Sequence, residues 1–333
     1  MTHSTQAPAS FTNPNSATKG QPLETEAHSK SDNFKSKPKS KGKKTKAKTD
    51  FYQIITDSII ASLECGVKPW ACPWDMEGCS SMPYSLKSGA QYSGINVLLL
   101  WGAAVERGFT ASAWLTYKQA VEMGGHVRKG EKGTTIIFYK QYTKEDKSTG
   151  EEESAFVMKT YTVFNLDQID GIELAGGASM TSVQSLDFNA YAHVDEAIKA
   201  TGAQIVEMGN KAFYRPSTDE IYLPPRERFN SEADFYATTL HELTHWSGAK
   251  TRLNRTKGKR FGDEAYAFEE LIAELGSAFL MADFGLGGEV QHESYIASWL
   301  KALKNDKKFI FQAASAASKA HQYITQAREC AAA

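Results

Sequence analysis

The chain has 333 residues, 41% of them hydrophobic, with six Trp, which leaves ample material for true cores and makes two compact domains the default expectation. Its net charge of -1 hides an asymmetry, because eight lysines and no acid fall between Lys35 and Lys48, and the rest of the chain carries about -9. A uniformly basic nucleic-acid-binding body is therefore excluded, and any such surface on the folded part must be a local patch. No secretory signal or membrane-length apolar run is visible, so no membrane role is expected. Cys65, Cys72, Cys79 and Cys330 lack paired C-x-x-C spacing and read as free thiols in a reducing cytoplasm, the expected location.

Residues 1–50 contain no Trp, Tyr, Ile, Val or Cys and are rich in Ser, Thr, Pro and Lys. They cannot bury enough apolar surface to offset ordering, so a disordered Lys-rich tail is expected, either a solubilising segment or an electrostatic arm for phosphates. A first domain is expected over 51–170. Phe51, Ile54, Ile55, Ile59 and Leu63 recur at helical spacing, and Gly66 closes that helix. Pro69 to Trp74 (PWACPW) reads as an extended segment with surface indoles. A second helix starts at a Ser93 cap and stops at Gly108; a third, capped by Thr110 or Ser112, runs through Trp114, Tyr117 and Val121 to Gly124. Two strands, Thr134 to Tyr142 and Ala155 to Phe164, flank a polar loop and read as an antiparallel hairpin, entered through the basic turn RKGEKG.

Aromatic and basic residues interleave through this half, the combination that single strands require for stacking and phosphate contact. The candidate contacts are Trp70, Trp74, Tyr92, Trp114, Lys118, Arg128, Lys129 and Lys132. Among the rings, Trp114 and Trp101 sit on apolar helical stripes that favour the core, whereas Trp70 and Trp74 stand beside prolines that favour the surface.

Residues 171–186 read as a linker, and 187–333 as a second domain, giving an α+β chain overall. A helix near Asn189 to Thr201 is followed by short strands at 203–208, 212–215 and 220–223. The last ends at Pro224-Pro225, which suits an edge strand able to pair with a peptide backbone. Ser231 to Gly248 follows (SEADFYATTLHELTHWSG), with Ser231 and Asp234 as a capping-box-like start and Gly248 as the left-handed stop. Within it His241 and His245 lie four apart on one helical face, where both imidazoles can meet one metal ion while Glu242 serves as base toward a water. A histidine at position 251 would extend the pattern, but Thr251 stands there, so the third ligand must come from elsewhere.

The helical run Asp263 to Phe284 offers Glu270 and Glu274 on a shared face. Glu270 is read as the third ligand and Glu274 as the outer carboxylate that orients a histidine, with Glu269 pointing into solvent. Zinc is the expected ion, with another divalent ion such as Mn2+ as the alternative. Arg252, Arg255, Lys257, Lys259 and Arg260 read as a solvated basic loop. Two C-terminal helices over 290–327, built around Ile296, Trp299, Leu300, Leu303 and Ile310, complete the chain; His292 and Tyr295 precede that packing and read as structural, with a transition-state donor as the alternative.

In both halves the chain resembles the ArdC-type plasmid anti-restriction proteins. The likeness covers about residues 51–325. It is carried by PWACPW, SGAQYSGINVLLL, WLTYKQA, GGHVRKGEKGTTIIFY and YTVFNLDQ in the first half. In the second it rests on IYLP, HELTHWSG, RLNR and AYAFEELIAELG. The resemblance implies sequence-independent binding of single-stranded DNA and a zincin-like metallopeptidase site built from His241, Glu242, His245 and Glu270. It also implies protection of incoming plasmid DNA from host restriction during conjugation, with restriction-system proteins as possible partners. The rival reading is a DNA-binding decoy whose metal domain is purely structural.

Overall fold

The computed structural model describes residues 50–70, 81–145, 152–172, 191–255, 264–287 and 295–332. The Lys-rich tail, Trp74 and most of the expected linker lie outside them. The first helix, α1 (Phe51–Glu64), begins where the Asp50 side chain accepts the Gln53 N–H at 3.2 Å. Its buried stripe is Ile55, Ile59, Ile60 and Leu63. After β1 (Tyr84–Ser85) comes α2 (Ile95–Arg107), whose cap is Gly94 and not Ser93. Gly94 has φ 62°, a conformation glycine adopts without a Cβ penalty, and its N–H donates to Ser318 Oγ at 2.7 Å.

The expected third helix is split. Ala113–Thr116 is a strand, β2, and only Tyr117–Glu122 is helical, α3, opened by a Thr116/Gln119 capping box. The local apolar spacing was compatible with a helix, but Trp114, Leu115 and Thr116 pair antiparallel with Asn165, Phe164 and Val163, so tertiary pairing overrides propensity. β3 (His126–Val127) leads to β4 (Thr134–Glu145) and β5 (Glu152–Asn165), the expected antiparallel hairpin, followed by β6 (Ile169–Asp170). The main sheet runs β1-β2-β5-β4, and β3 pairs with β6.

The second half opens with α4 (Ala192–Ala200) and a three-stranded sheet of β7 (Gln204–Glu207), β8 (Phe213–Arg215) and β9 (Glu220–Leu223) in the order β7-β9-β8. The expected edge strand 220–223 is therefore central, pairing parallel with β7 and antiparallel with β8. Pro224 and Pro225 follow its last paired residue, so their missing N–H groups cost the ladder nothing. Four helices complete the fold: α5 (Glu232–Ser247), α6 (Glu264–Asp283), α7 (Ile296–Asn305) and α8 (Phe309–Ala332). No helix among the described residues is long and apolar enough to cross a membrane.

Residues 49–333 form one compact unit. The largest core cluster joins α1 and α2 to α6, α7 and α8, with Ile59, Leu63, Trp70 and Leu98 packed among Leu271, Leu275, Phe279 and Trp299. A polar tie runs beside it. Asp283 accepts from Gln91 Nε2 at 2.7 Å and faces His321 Nε2 at 3.3 Å. Burial alone would raise the Asp283 carboxyl, but His321 and Gln91 outweigh it and hold it below its ordinary value. A depressed carboxyl adds stability above its unfolded value and loses it as pH falls through the folded one. Asp283→Asn is expected to cost about 1–2 kcal/mol at pH 7. The gap should narrow below about pH 4, as read by denaturant melts across pH.

Candidate metal centre

Helix α5 starts at Ser231, whose hydroxyl accepts the Asp234 N–H at 3.1 Å. It buries almost all its faces, which is why two histidines and a glutamate can stand in its interior. The His241 and His245 rings lie 4.8 Å apart, one turn above the other. Across from them α6 brings Glu270, with Oε2 3.7 Å from His241 Nε2 and Oε1 3.5 Å from His245 Nε2. One donor atom from each of the three lies within 4.8 Å of the others. Tetrahedral N/O ligands at about 2.0–2.1 Å from an ion stand about 3.3 Å apart, so a small closure of these side chains fits a divalent ion. Burial pushes the Glu270 carboxyl up, and the two imidazoles beside it reverse this and bring it well below its ordinary value, so that it stays ionised.

The carboxylate behind His245 is Glu269. It is 4% exposed, not solvated, and its Oε1 lies 3.3 Å from His245 Nδ1, leaving Nε2 directed at Glu270. Burial raises this carboxyl, but His245 and Arg255 bring it down to about 2. Glu274, expected to orient a histidine, instead accepts from Trp70 Nε1 at 3.4 Å and Lys68 Nζ at 3.3 Å. Glu269 and Glu270, about 100° apart round α6, reach the His245 ring from its two nitrogens, whereas Glu274 shares the Glu270 face but lies a turn further along α6, against the first half. The nearest sequence signal was the run Glu269-Glu270 itself.

Two residues of the expected basic loop are structural locks. Arg255 grips Glu269 with both sides of its fork, at 2.9 and 3.2 Å, and donates to Ser247 Oγ at 2.9 Å and to Thr244 O at 2.5 Å. Arg252 lies 3.8 Å over the Trp246 ring and donates to Asp219 at the β8–β9 turn. Lys257, Lys259, Arg260 and His292 fall outside the described residues. Gly248 is not left-handed (φ -78°); glycine is required there because a Cβ would stand 2.7 Å from Arg255 Nη2. That guanidinium is pinned and cannot yield cheaply, so Gly248→Ala is expected to cost about 1–3 kcal/mol in a thermal melt.

A cavity of about 320 Å³ opens over the three donors. Its walls include Phe213, Tyr214 and Pro216 at the edge strand β8, Glu242 from α5, and the Tyr266 and Tyr295 hydroxyls, which lie 3.3 Å apart. Glu242 Oε2 accepts the Tyr214 backbone N–H at 2.8 Å, which ties the outer edge of β8 to α5.

The candidate nucleic-acid contacts are dispersed. Trp70 is 2% exposed, edge-on to Trp299 and bonded to Glu274, and Trp114 is 1% exposed in the core, so neither ring is open for stacking. Tyr92 is half-buried against the Leu100–Trp114 cluster. Lys118 is exposed and pairs with Glu122 at 3.6 Å; Arg128 is drawn to Asp170 and Glu131. Lys129 and Lys132 are exposed. The exposed rings are others: Tyr117, Phe138, Tyr139 and Tyr161. Strand alternation did not single them out, because β4 is exposed on both faces at Phe138 and Tyr139, beyond the core residues Ile136 and Ile137.

Residues 49–164 match the family profile described as the N-terminal domain of anti-restriction factor ArdC, and residues 192–316 match a zincin-like metallopeptidase. A DNA primase TraC of Escherichia coli is 37% identical over 296 residues, 83% of this chain but 20% of the relative. A second TraC from the same organism is covered over 27% of its length, so the chain spans only about a fifth to a quarter of these primases. The y4eC protein of Sinorhizobium fredii, itself uncharacterised, is 37% identical over 81% of this chain and 90% of its own. The metal-free crystal structure of antirestriction protein ArdC from plasmid R388 shares 43% identity, with a TM-score of 0.72 over 85% of this chain and 99% of that one. Its Mn(II)-bound form gives 41% and 0.70 over 84% and 98%.

Proposed function

The chain belongs to the ArdC family of antirestriction proteins, and from that premise we propose that it protects incoming plasmid DNA in the cytoplasm, binding unpaired strands and hydrolysing peptide bonds at the α5–α6 site. In this reading the division is 51–170 for DNA and 187–333 for hydrolysis, with host restriction proteins as candidate substrates. The observation that carries it is the convergence of His241, His245 and Glu270 on one point, with Glu242 and an open strand edge beside it.

His241, His245 and Glu270 would hold a divalent ion, zinc or, as in the R388 relative, manganese. Such an ion acidifies water and polarises a carbonyl. The chain's own groups supply the rest. The free edge of β8 lies along the cavity, placed to pair with an extended peptide and present its carbonyl to the donors. Tyr214 N–H fixes one oxygen of Glu242, and the other is left to take the proton of the attacking water and return it to the leaving nitrogen. The Tyr266 and Tyr295 hydroxyls face the same space and can donate to the developing oxyanion.

The test is Glu242→Ala in a conjugation assay against a restricting host, together with cleavage of candidate host proteins in the presence of single-stranded DNA. Cleavage is expected to fall by at least 100-fold, with a matching loss of protection. Full protection by the variant would favour the decoy.

A further inference from the structure

A second and larger cavity, about 710 Å³, lies away from the metal donors, between α1, the start of α2, β4 and α8. Its volume is in the range that takes small organic ligands. Tyr139 (43% exposed) stands on the β4 wall, and Tyr52 meets Phe311 edge-on at 4.7 Å. The turn before α8 supplies Lys308, 5.6 Å from the Tyr52 ring, and α8 supplies Lys319, neither of which has a carboxylate partner among the described residues. The lining contains no Asp or Glu, on a chain that is net acidic outside its tail. Unopposed cations and open rings in one cleft match a phosphate and a base on one ligand.

The walls are also held in place. Asn96 Nδ2 donates to Ile137 O and its Oδ1 accepts the Ile137 N–H, both at 2.8 Å, so α2 is clamped to β4 beside Phe138 and Tyr139. Tyr139 and Tyr52 join hydroxyl to hydroxyl at 3.0 Å. The start of α2 has no side-chain cap and opens at the same cleft, adding its positive pole to the lysines.

We propose that this cleft seats nucleotide units of an unpaired DNA strand, so that α8 and the turn before it supply the cations that accompany the rings of α1 and β4. The inference rests on the reading that the chain binds single-stranded DNA, and it places part of that site on a helix beyond the N-terminal family match. Phosphates run along Lys308 and Lys319 while bases meet Tyr52 and Tyr139.

The experiment is fluorescence anisotropy of a labelled oligo-dT with the full chain across salt concentrations. It compares wild type, Lys308→Gln/Lys319→Gln, Tyr139→Ala, and a Lys199→Gln/Lys301→Gln control from α4 and α7. All four lysines are exposed, so the fold should persist, and thermal melts check it. The cleft double variant should bind at least 10-fold more weakly, with a salt slope shallower by about 1.4. Tyr139→Ala should lose about 5- to 100-fold, and the control should match wild type. Wild-type affinity and slope in both cleft variants overturn the proposal while leaving DNA binding intact. Failure of wild type itself to bind the oligomer overturns the DNA-binding reading and the proposal with it.

Discussion

Arg255→Ala is expected to weaken divalent-ion binding by about 10- to 100-fold and to cost about 3–5 kcal/mol of stability, although Arg255 contributes no ligand atom. Its guanidinium and the Glu269 carboxylate are both buried, and each meets most of its charge in the other. Removing the cation leaves Glu269 facing His245 alone, free to rotate, so the imidazole is no longer held with Nε2 toward Glu270. Lysine keeps the charge but not the two-pronged grip, and Arg255→Lys should fall between wild type and alanine. Competition titrations with a metal-binding dye, alongside melts of the metal-free chain, separate the two effects. Unchanged affinity in Arg255→Ala would mean that His245 is oriented without this relay.

The second large effect concerns the boundary between the two family matches. Residues 49–170 expressed alone are expected not to reach a native fold, and the full chain is expected to unfold in one transition. The reason is the shared core. Ile59, Leu63 and Trp70 bury their faces against Leu275, Phe279 and Trp299, and a fragment would expose that surface to water. At about 1.5–3 kcal/mol per large apolar side chain, the loss of burial at these three alone is comparable with the whole stability of a typical domain. Trp70 would also lose its ring partner and its acceptor Glu274 together. Circular dichroism and hydrogen exchange on the fragment read this directly. A fragment with native protection in α1 and α2 would show that the halves fold independently.

These two expectations mark where the sequence was readable. The periodic signals were local: the α5 cap, the His241–His245 turn and the β4–β5 hairpin each rest on residues close in the chain. What escaped depends on distant partners. Trp70, beside a proline, looked exposed, yet its partners are some 200 residues downstream. Arg255 and Arg252 looked like solvated charge because their acceptors lie across the fold, on α6 and on the β8–β9 turn. Position 113–116 carried helical spacing, but a strand fourteen residues long was available to pair with it. Glu269 took the histidine-orienting role expected of Glu274, which is buried against Trp70 and Lys68 instead, because relative helix rotation across a packed interface is not written in either helix alone.

The central claim is that three side chains on α5 and α6 hold one divalent ion. The direct measurement is metal content after loading the purified full chain with Zn2+ or Mn2+ and dialysing, for wild type, His241→Ala and Glu270→Ala. About one tightly held ion per wild-type chain, lost in both variants while their helical content persists, is the predicted result. Equal metal in wild type and variants, or none in wild type, would contradict the account.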